Sequence, residues 1–287
     1  MQPSVHDSFF KAMFSQAEHA ASLLRQVLPP PLAARIDFAS LTLCAGSFVD
    51  EALKERHSDL LFSASADGHP ALLYVLFEHQ SVADPKMPFR LLRYMVRIWD
   101  DWLEDHPDAA KLPLILPVVL HHSERGWTGS TSFEDLLDAT PETLAAARDH
   151  LPGFRFVLED ISHQSDEALR SRAMTALVRL ALWSLRHSRE PEERVTRAGA
   201  WRALVEDVHR APGGAAAVVL VMRYIFTISD TRRPEELIVQ LQAALGNEIK
   251  EEIVTAAEQL IERGRQQGME KGLEKGMEKG LEKGLEK

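Results

Sequence analysis

The chain has 287 residues, of which 45% are hydrophobic, a formal net charge of -10 and a single cysteine. That length and apolar content support one large domain or two modest ones, and the acidic balance weighs against gripping nucleic acid by bulk charge while leaving room for a local basic patch or a bound cation. Cys44 alone allows neither an internal disulfide nor a cysteine-based zinc cluster, which fits a reducing, cytoplasmic setting.

The first residues lack the basic start and long apolar core of a signal peptide. The longest apolar run, residues 215–222, is too short to span a bilayer, so no membrane partner is expected. Phe10, Phe14, Ala17, Ala21, Leu24 and Leu28 recur at helical spacing, which predicts one opening helix stopped by the prolines at 29 to 31. A β-branched, alternating stretch over residues 34–49 follows and predicts a strand. Residues 58–81 then hold two apolar runs around Asp67-Gly68, a pair suited to a tight hairpin turn with both central residues at positive φ. From Met87 to about His106 the pattern is a long amphipathic helix. Residues 112–122 form a near-continuous apolar strand whose Pro113 and Pro117 point to an edge or irregular ends, and residues 154–162 suggest one more strand.

This order predicts an α/β fold, a mixed sheet flanked by helices, with a core over residues 1–164. A helical region over 165–263 comes next, packed on the core or following it. Residues 264–287 form a tail containing five tandem Gly-(Met/Leu)-Glu-Lys copies. Such a repeat advances about 400° per copy on an ideal helix, so its apolar stripe drifts by about 40° and each glycine weakens the helix. The tail is expected to be a solvated, frayed helix or a slowly wrapping coiled-coil segment, and the helical region or the tail is a candidate homo-oligomer contact.

A two-residue turn at Asp67-Gly68 pairs Ala66 with His69 and Asp59 with Leu76. Asp59, Leu76, Glu78 and Gln80 then share one face, with Asp59 and Glu78 as diagonal neighbours about 7 to 8 Å apart at Cα. Two oxygen-rich side chains at that separation can share a divalent cation. Leu61, Leu72 and Tyr74 make the rest of that face apolar, so a covering helix is expected, and acids at the end of a buried sheet need a cation or a basic partner. The spacing equally allows strand-end charges that reach solvent or pair with Arg90 and Arg93. Glu55 and His57 share the parity of Asp59 and are second-rank candidates.

Residues 48–61 (FVDEALKERHSDLL), 72–81 (LLYVLFEHQS), 87–102, 112–122 and the early HDSFFKAMFS together resemble the Rpn recombination-promoting nucleases, also called YhgA-like transposases, over about the first 210 residues. The repeat tail is typical of them too. The resemblance implies a restriction-endonuclease-like fold of the PD-(D/E)XK superfamily, with magnesium-dependent (or manganese-dependent) DNA cleavage linked to recombination. By that resemblance Asp59 is the first metal-binding acid, Glu78 is the acid of the E-x-K element and Gln80 stands where a lysine is usual. A glutamine can orient a water or a phosphate oxygen but brings no positive charge, so weak or slow cleavage is expected.

Arg90, Arg93 and Arg97 lie three and four apart on one helix face, suited to DNA phosphate or to the acids, with an ordinary solvated face as the alternative. They sit toward the helix N-terminus and Asp100, Asp101, Glu104 and Asp105 toward its C-terminus, against the macrodipole preference. His121 and His122 are adjacent on a strand and so point to opposite faces, not to one metal. Asp7 suits a helix cap rather than a ligand. Gly-rich phosphate loops, serine-hydrolase elbows and His-Glu-x-x-His patterns are missing, so no nucleotide cofactor is expected. A catalytically weak or inactive nuclease fold acting as a DNA- or protein-binding module is the alternative to a working endonuclease.

Overall fold

The computed structural model describes residues 4–44, 58–78, 84–189, 197–229 and 234–285. They fall into two compact units, Met1–Arg189 and Glu190–Lys287.

The first unit opens with two helices where periodicity suggested one. Helix α1, Val5–Phe14, starts at a capping box in which Ser4 Oγ accepts from the Asp7 N–H and the Asp7 carboxylate accepts from the Ser4 N–H, at 3.1 and 3.2 Å. Asp7 therefore serves the cap, as its position suggested. The chain leaves helical geometry at Gln16 (ψ 122°) before α2, Ala17–Val27. The His19 ring then bonds the Met13 carbonyl at 2.9 Å, satisfying an acceptor that the end of α1 leaves open. Apolar spacing carries across this break, which is why it is hidden in the sequence. Leu28 is extended, as a residue before proline prefers, and the prolines that end α2 also begin the short helix α3, Pro30–Ala33.

Among the described residues five strands form one sheet in chain order: β1 Ile36–Leu43, β2 Ser58–Ala66, β3 His69–Glu78, β4 Leu114–His121 and β5 Val157–Asp160. The first three are antiparallel neighbours, and β3, β4 and β5 run parallel. The β2–β3 turn has Asp67 at φ 49° and Gly68 at φ 83°, and the register pairs Ala66 with His69 and Asp59 with Leu76, as expected from a two-residue turn. Strand β4 corrects the reading of its prolines, because it lies inside the sheet, between β3 and β5. Pro117 is tolerated there because β5 pairs only from Val118 onward, so no ladder bond is demanded on that side.

Helix α4, Met87–Asp105, crosses from β3 to β4 and covers one sheet face. Met87, Leu91, Tyr94, Met95 and Ile98 pack there on Leu61, Leu72, Tyr74, Leu76, Ile115 and Val119. The expected helical cover over the acid-bearing face is therefore present. On the other face Leu60, Phe62, Leu73, Val75, Val118 and Leu120 are buried, with α1 and α2 supplying Phe10, Phe14 and Leu24 to the same core. Each such side chain contributes about 1.5 to 3 kcal/mol of burial. After the exposed α5 (Pro141–Ala147), α6 (Asp166–Arg170) and α7 (Ala176–Arg186) close the unit. The Thr175 N–H at the start of α7 bonds Ser22 Oγ on α2 at 2.9 Å, so helices beyond residue 164 pack within the first unit.

The second unit is helical: α8 Arg202–Arg210, α9 Gly214–Ser229, α10 Pro234–Leu245 and α11 Lys250–Leu285. Its core gathers Trp201, Val221, Ile225, Leu241, Ile253 and Ala256. Gly214 opens α9 directly over the end of α8, where a β-carbon would lie 1.9 Å from the Val208 carbonyl oxygen. Helix α11 continues through the repeats, with Met269, Leu273 and Met277 all more than 60% exposed.

Candidate functional site

Register brings the chemistry-bearing residues to one end of the sheet and one face. Asp59 pairs with Leu76 across the hairpin, so Glu78, two residues on, is its diagonal neighbour on the same side. Strand β3 pairs Glu78 with His121, and β4 pairs His121 with Asp160. Glu78, His121 and Asp160 are thus the last residues of three parallel strands, level with one another. They share the parity of Leu76, Val119 and Leu158, which pack toward α4. The carboxyl ends of parallel strands are where open α/β sheets place their ligands.

Asp59 is partly buried, and the Tyr74 hydroxyl donates to its Oδ2 at 2.9 Å. Tyr74 is fully enclosed and its ring meets Tyr94 of α4 at 5.5 Å between centroids. Burial pushes the Tyr74 phenol well up, and the nearby Asp59 charge adds to this, so the hydroxyl stays protonated and remains a donor. A carboxylate held this way is oriented by a fixed partner, the support expected beneath a metal-binding acid. The signal was available in the sequence: a buried tyrosine two positions from the acid's cross-strand partner needs a hydrogen-bond acceptor.

Arg90 sits on the inward flank of α4, 14% exposed, and its Nη1 bonds Asp84 Oδ2 at 3.1 Å. Its charge reaches Tyr74 and Tyr94, opposing the rise of both phenols. Arg93 and Arg97 lie on the solvent side of the same helix. The structure thus separates the three arginines, with one turned toward the acid end of the sheet and two turned outward. Glu78 is described by its backbone alone, and Glu55, His57 and Gln80 lie outside the described residues.

His121 and Asp160 are the residues that sequence reasoning passed over. His121 is fully buried, with Nε2 2.9 Å from Ser123 Oγ and its ring edge-on to Trp127. Ser123 Oγ donates its one proton to the Gly126 carbonyl, so it accepts from His121 Nε2–H. For Asp160, burial pushes the carboxyl up. Bonds from the Ser162 hydroxyl, the Trp127 N–H and the Ser162 N–H, together with His121, outweigh that and hold it below the usual carboxylate range. The Trp127 bond, at 2.7 Å, ties the loop after β4 to the end of β5. His122 follows the last residue of β4 and is also buried.

The donors at this end are hard oxygens and an imidazole, a set suited to a divalent cation. Among the described residues no three His, Cys, Asp or Glu side chains converge on one metal position. Cys44 packs against the α4-facing core, where burial pushes its thiol up, so it lacks the character of a nucleophile.

Residues 4–211 match the family described as "Putative transposase, YhgA-like". The chain belongs to that family. Among YhgA-like relatives, this chain is 30% identical over 256 residues to recombination-promoting nuclease RpnD of Escherichia coli O157:H7, covering 89% of this chain and 93% of the relative. It is 40% identical over 119 residues to recombination-promoting nuclease RpnC of Escherichia coli (strain K12), a match spanning 42% of this chain and 39% of the relative. An inactive recombination-promoting nuclease-like protein of that strain, RpnE, is 28% identical over 271 residues, covering 92% of this chain and 83% of RpnE. No solved structure matches this YhgA-like chain. No helix among the described residues is long and apolar enough to cross a membrane.

Proposed function

We infer that the protein is a metal-dependent DNA endonuclease that hydrolyses phosphodiester bonds. The observation that carries this reading is the Asp59–Glu78 diagonal at the carboxyl end of a mixed sheet, with Asp59 oriented by Tyr74. The nuclease names of its relatives agree with it. Asp59 and Glu78 would hold magnesium or manganese, which when bound makes water more acidic and offsets charge on the scissile phosphate. Tyr74 fixes one Asp59 oxygen. Gln80 would orient the attacking water or a phosphate oxygen by hydrogen bonds, and Arg90, Arg93 and Arg97 supply positive charge along the helix beside the acids. With glutamine in place of lysine at position 80, water activation rests more heavily on the metal, and slow turnover is expected.

The test is supercoiled plasmid with purified protein and magnesium, beside EDTA and the Asp59→Ala and Glu78→Ala variants. Nicking that needs the metal and falls at least about a hundredfold in both variants is expected. Nicking that survives either substitution unchanged removes the assignment. A second reading, a nuclease fold kept as a DNA- or protein-binding module, is favoured by Gln80 and by the relative named inactive. It predicts DNA retention without cleavage.

A further inference from the structure

Helix α4 is apolar on two sides. The inner side packs on the sheet. On the outer side Phe89, Leu92, Val96, Trp99 and Leu103 follow one another at steps of three, four, three and four, the seam spacing of a coiled coil. Phe89, Val96 and Leu103 are 48%, 45% and 40% exposed, and Leu92 and Trp99 are half-buried. Trp99 is held in place by its Nε1–H bond to the Pro113 carbonyl at 2.9 Å. Trp99 also packs against the sheet-facing core, but Phe89, Val96 and Leu103, one heptad apart, stay exposed and serve no sheet packing.

We propose that this stripe is a homodimer interface in which α4 of one copy lies antiparallel against α4 of a second copy. The charge pattern selects both the occupant and the direction. Arg90 and Arg93 lie in the N-terminal half of the helix and Arg97 just past its middle, ahead of Asp100, Asp101, Glu104 and Asp105 in the last turns. This order works against the helix's own dipole. A parallel mate sets like charge beside like; an antiparallel mate sets basic beside acidic. Placing Leu92 against Leu103 and Val96 against Trp99 of the second copy brings Arg93, which flanks the seam, alongside Asp100 of that copy. Two-fold symmetry repeats the pair. The arrangement takes Arg93 from the phosphate-facing row and leaves Arg97 on the outer side. One helix pair is smaller than a standard interface of roughly 800 Å² per partner, so association is weak and depends on concentration.

Sedimentation of the full 32.2 kDa chain over a micromolar concentration series is expected to show the mass doubling. Val96→Glu keeps it at one chain without changing the thermal midpoint, because Val96 is solvent-facing. Arg93→Glu and Asp100→Arg each weaken association by about tenfold or more, and the double reversal restores it. In a Cys44→Ser background, oxidising Leu92→Cys mixed with Leu103→Cys gives the mixed disulfide in preference to either homodimer. A single mass across the series overturns the proposal. So does a dimer untouched by Val96→Glu, which would place association in the repeat helix, or a double reversal as weak as its parents, the result expected if Arg93 serves DNA instead. None of these readouts depends on cleavage.

Discussion

The β2–β3 hairpin carries an aspartate at each end, and the two live under different physics. Asp67, in the turn, meets Arg35 at 2.6 Å with both side chains more than half exposed. Asp59, at the other end, is partly buried and takes its hydrogen bond from a tyrosine that is only 2% exposed. Water screens the first pair, so it contributes little. The second bond lies in a low-dielectric setting where an unmade bond is costly. One residue type is thus a turn-former at one end of the hairpin and a candidate ligand at the other, and burial decides which.

Removing the Tyr74 hydroxyl is the largest way to break this contrast. Tyr74→Phe should cost about 1 to 3 kcal/mol of stability in urea titrations, because Asp59 loses a buried donor. It should also weaken metal binding by roughly 10- to 100-fold, the effect expected of a group that orients a ligand. Unchanged metal affinity would make Tyr74 a purely structural partner.

Asp160 adds a third aspartate, of intermediate burial, and sharpens the comparison through pH. Its folded carboxyl titrates below the usual range, so it stabilises the native state above the unfolded value of roughly 4, and that contribution is lost as pH falls through the lower folded value. Urea midpoints across acid pH should fall less steeply in Asp160→Asn than in the parent. Equal slopes would mean that its hydrogen bonds to Trp127 and Ser162 carry no charge-dependent stability.

The smallest effect belongs to the turn. Arg35→Ala should move stability by no more than about 0.5 kcal/mol and leave nicking unchanged. A larger loss would show that the solvent-facing end is coupled to the acid end, and the contrast between the two aspartates would fail.

The hairpin was legible because Asp67-Gly68 sets its own register, and every opposed pair down to Asp59 follows from that one turn. The level placement of Glu78, His121 and Asp160 was not, because a parallel register depends on how a crossover helix packs, and no local residue encodes it. His121 therefore looked like half of a pointless pair with His122. Pro117 misled in the opposite direction: it marks a gap in a neighbour's ladder, not the rim of the sheet. The break between α1 and α2 was hidden because Gln16 is no breaker and the apolar spacing continues over it. The second stripe on α4 was open to view in its three-four spacing, but only the burial of the inner face shows that it is surplus.

Pro117 has one more consequence. It lacks an amide hydrogen and lies in the half of the β3–β4 pair away from Glu78, while β5 braces only the half that includes His121 and Asp160. Strand β4 is therefore flanked on both sides only at its acid end, by β3 and β5, and it opens most easily from its start, whereas β1 braces the hairpin at the turn end, opposite Phe62–Ala66. In hydrogen–deuterium exchange the amides around Leu120 should be the last of β4 to open. The acids then keep their spacing through the partial openings that a protein undergoes many times in its working life.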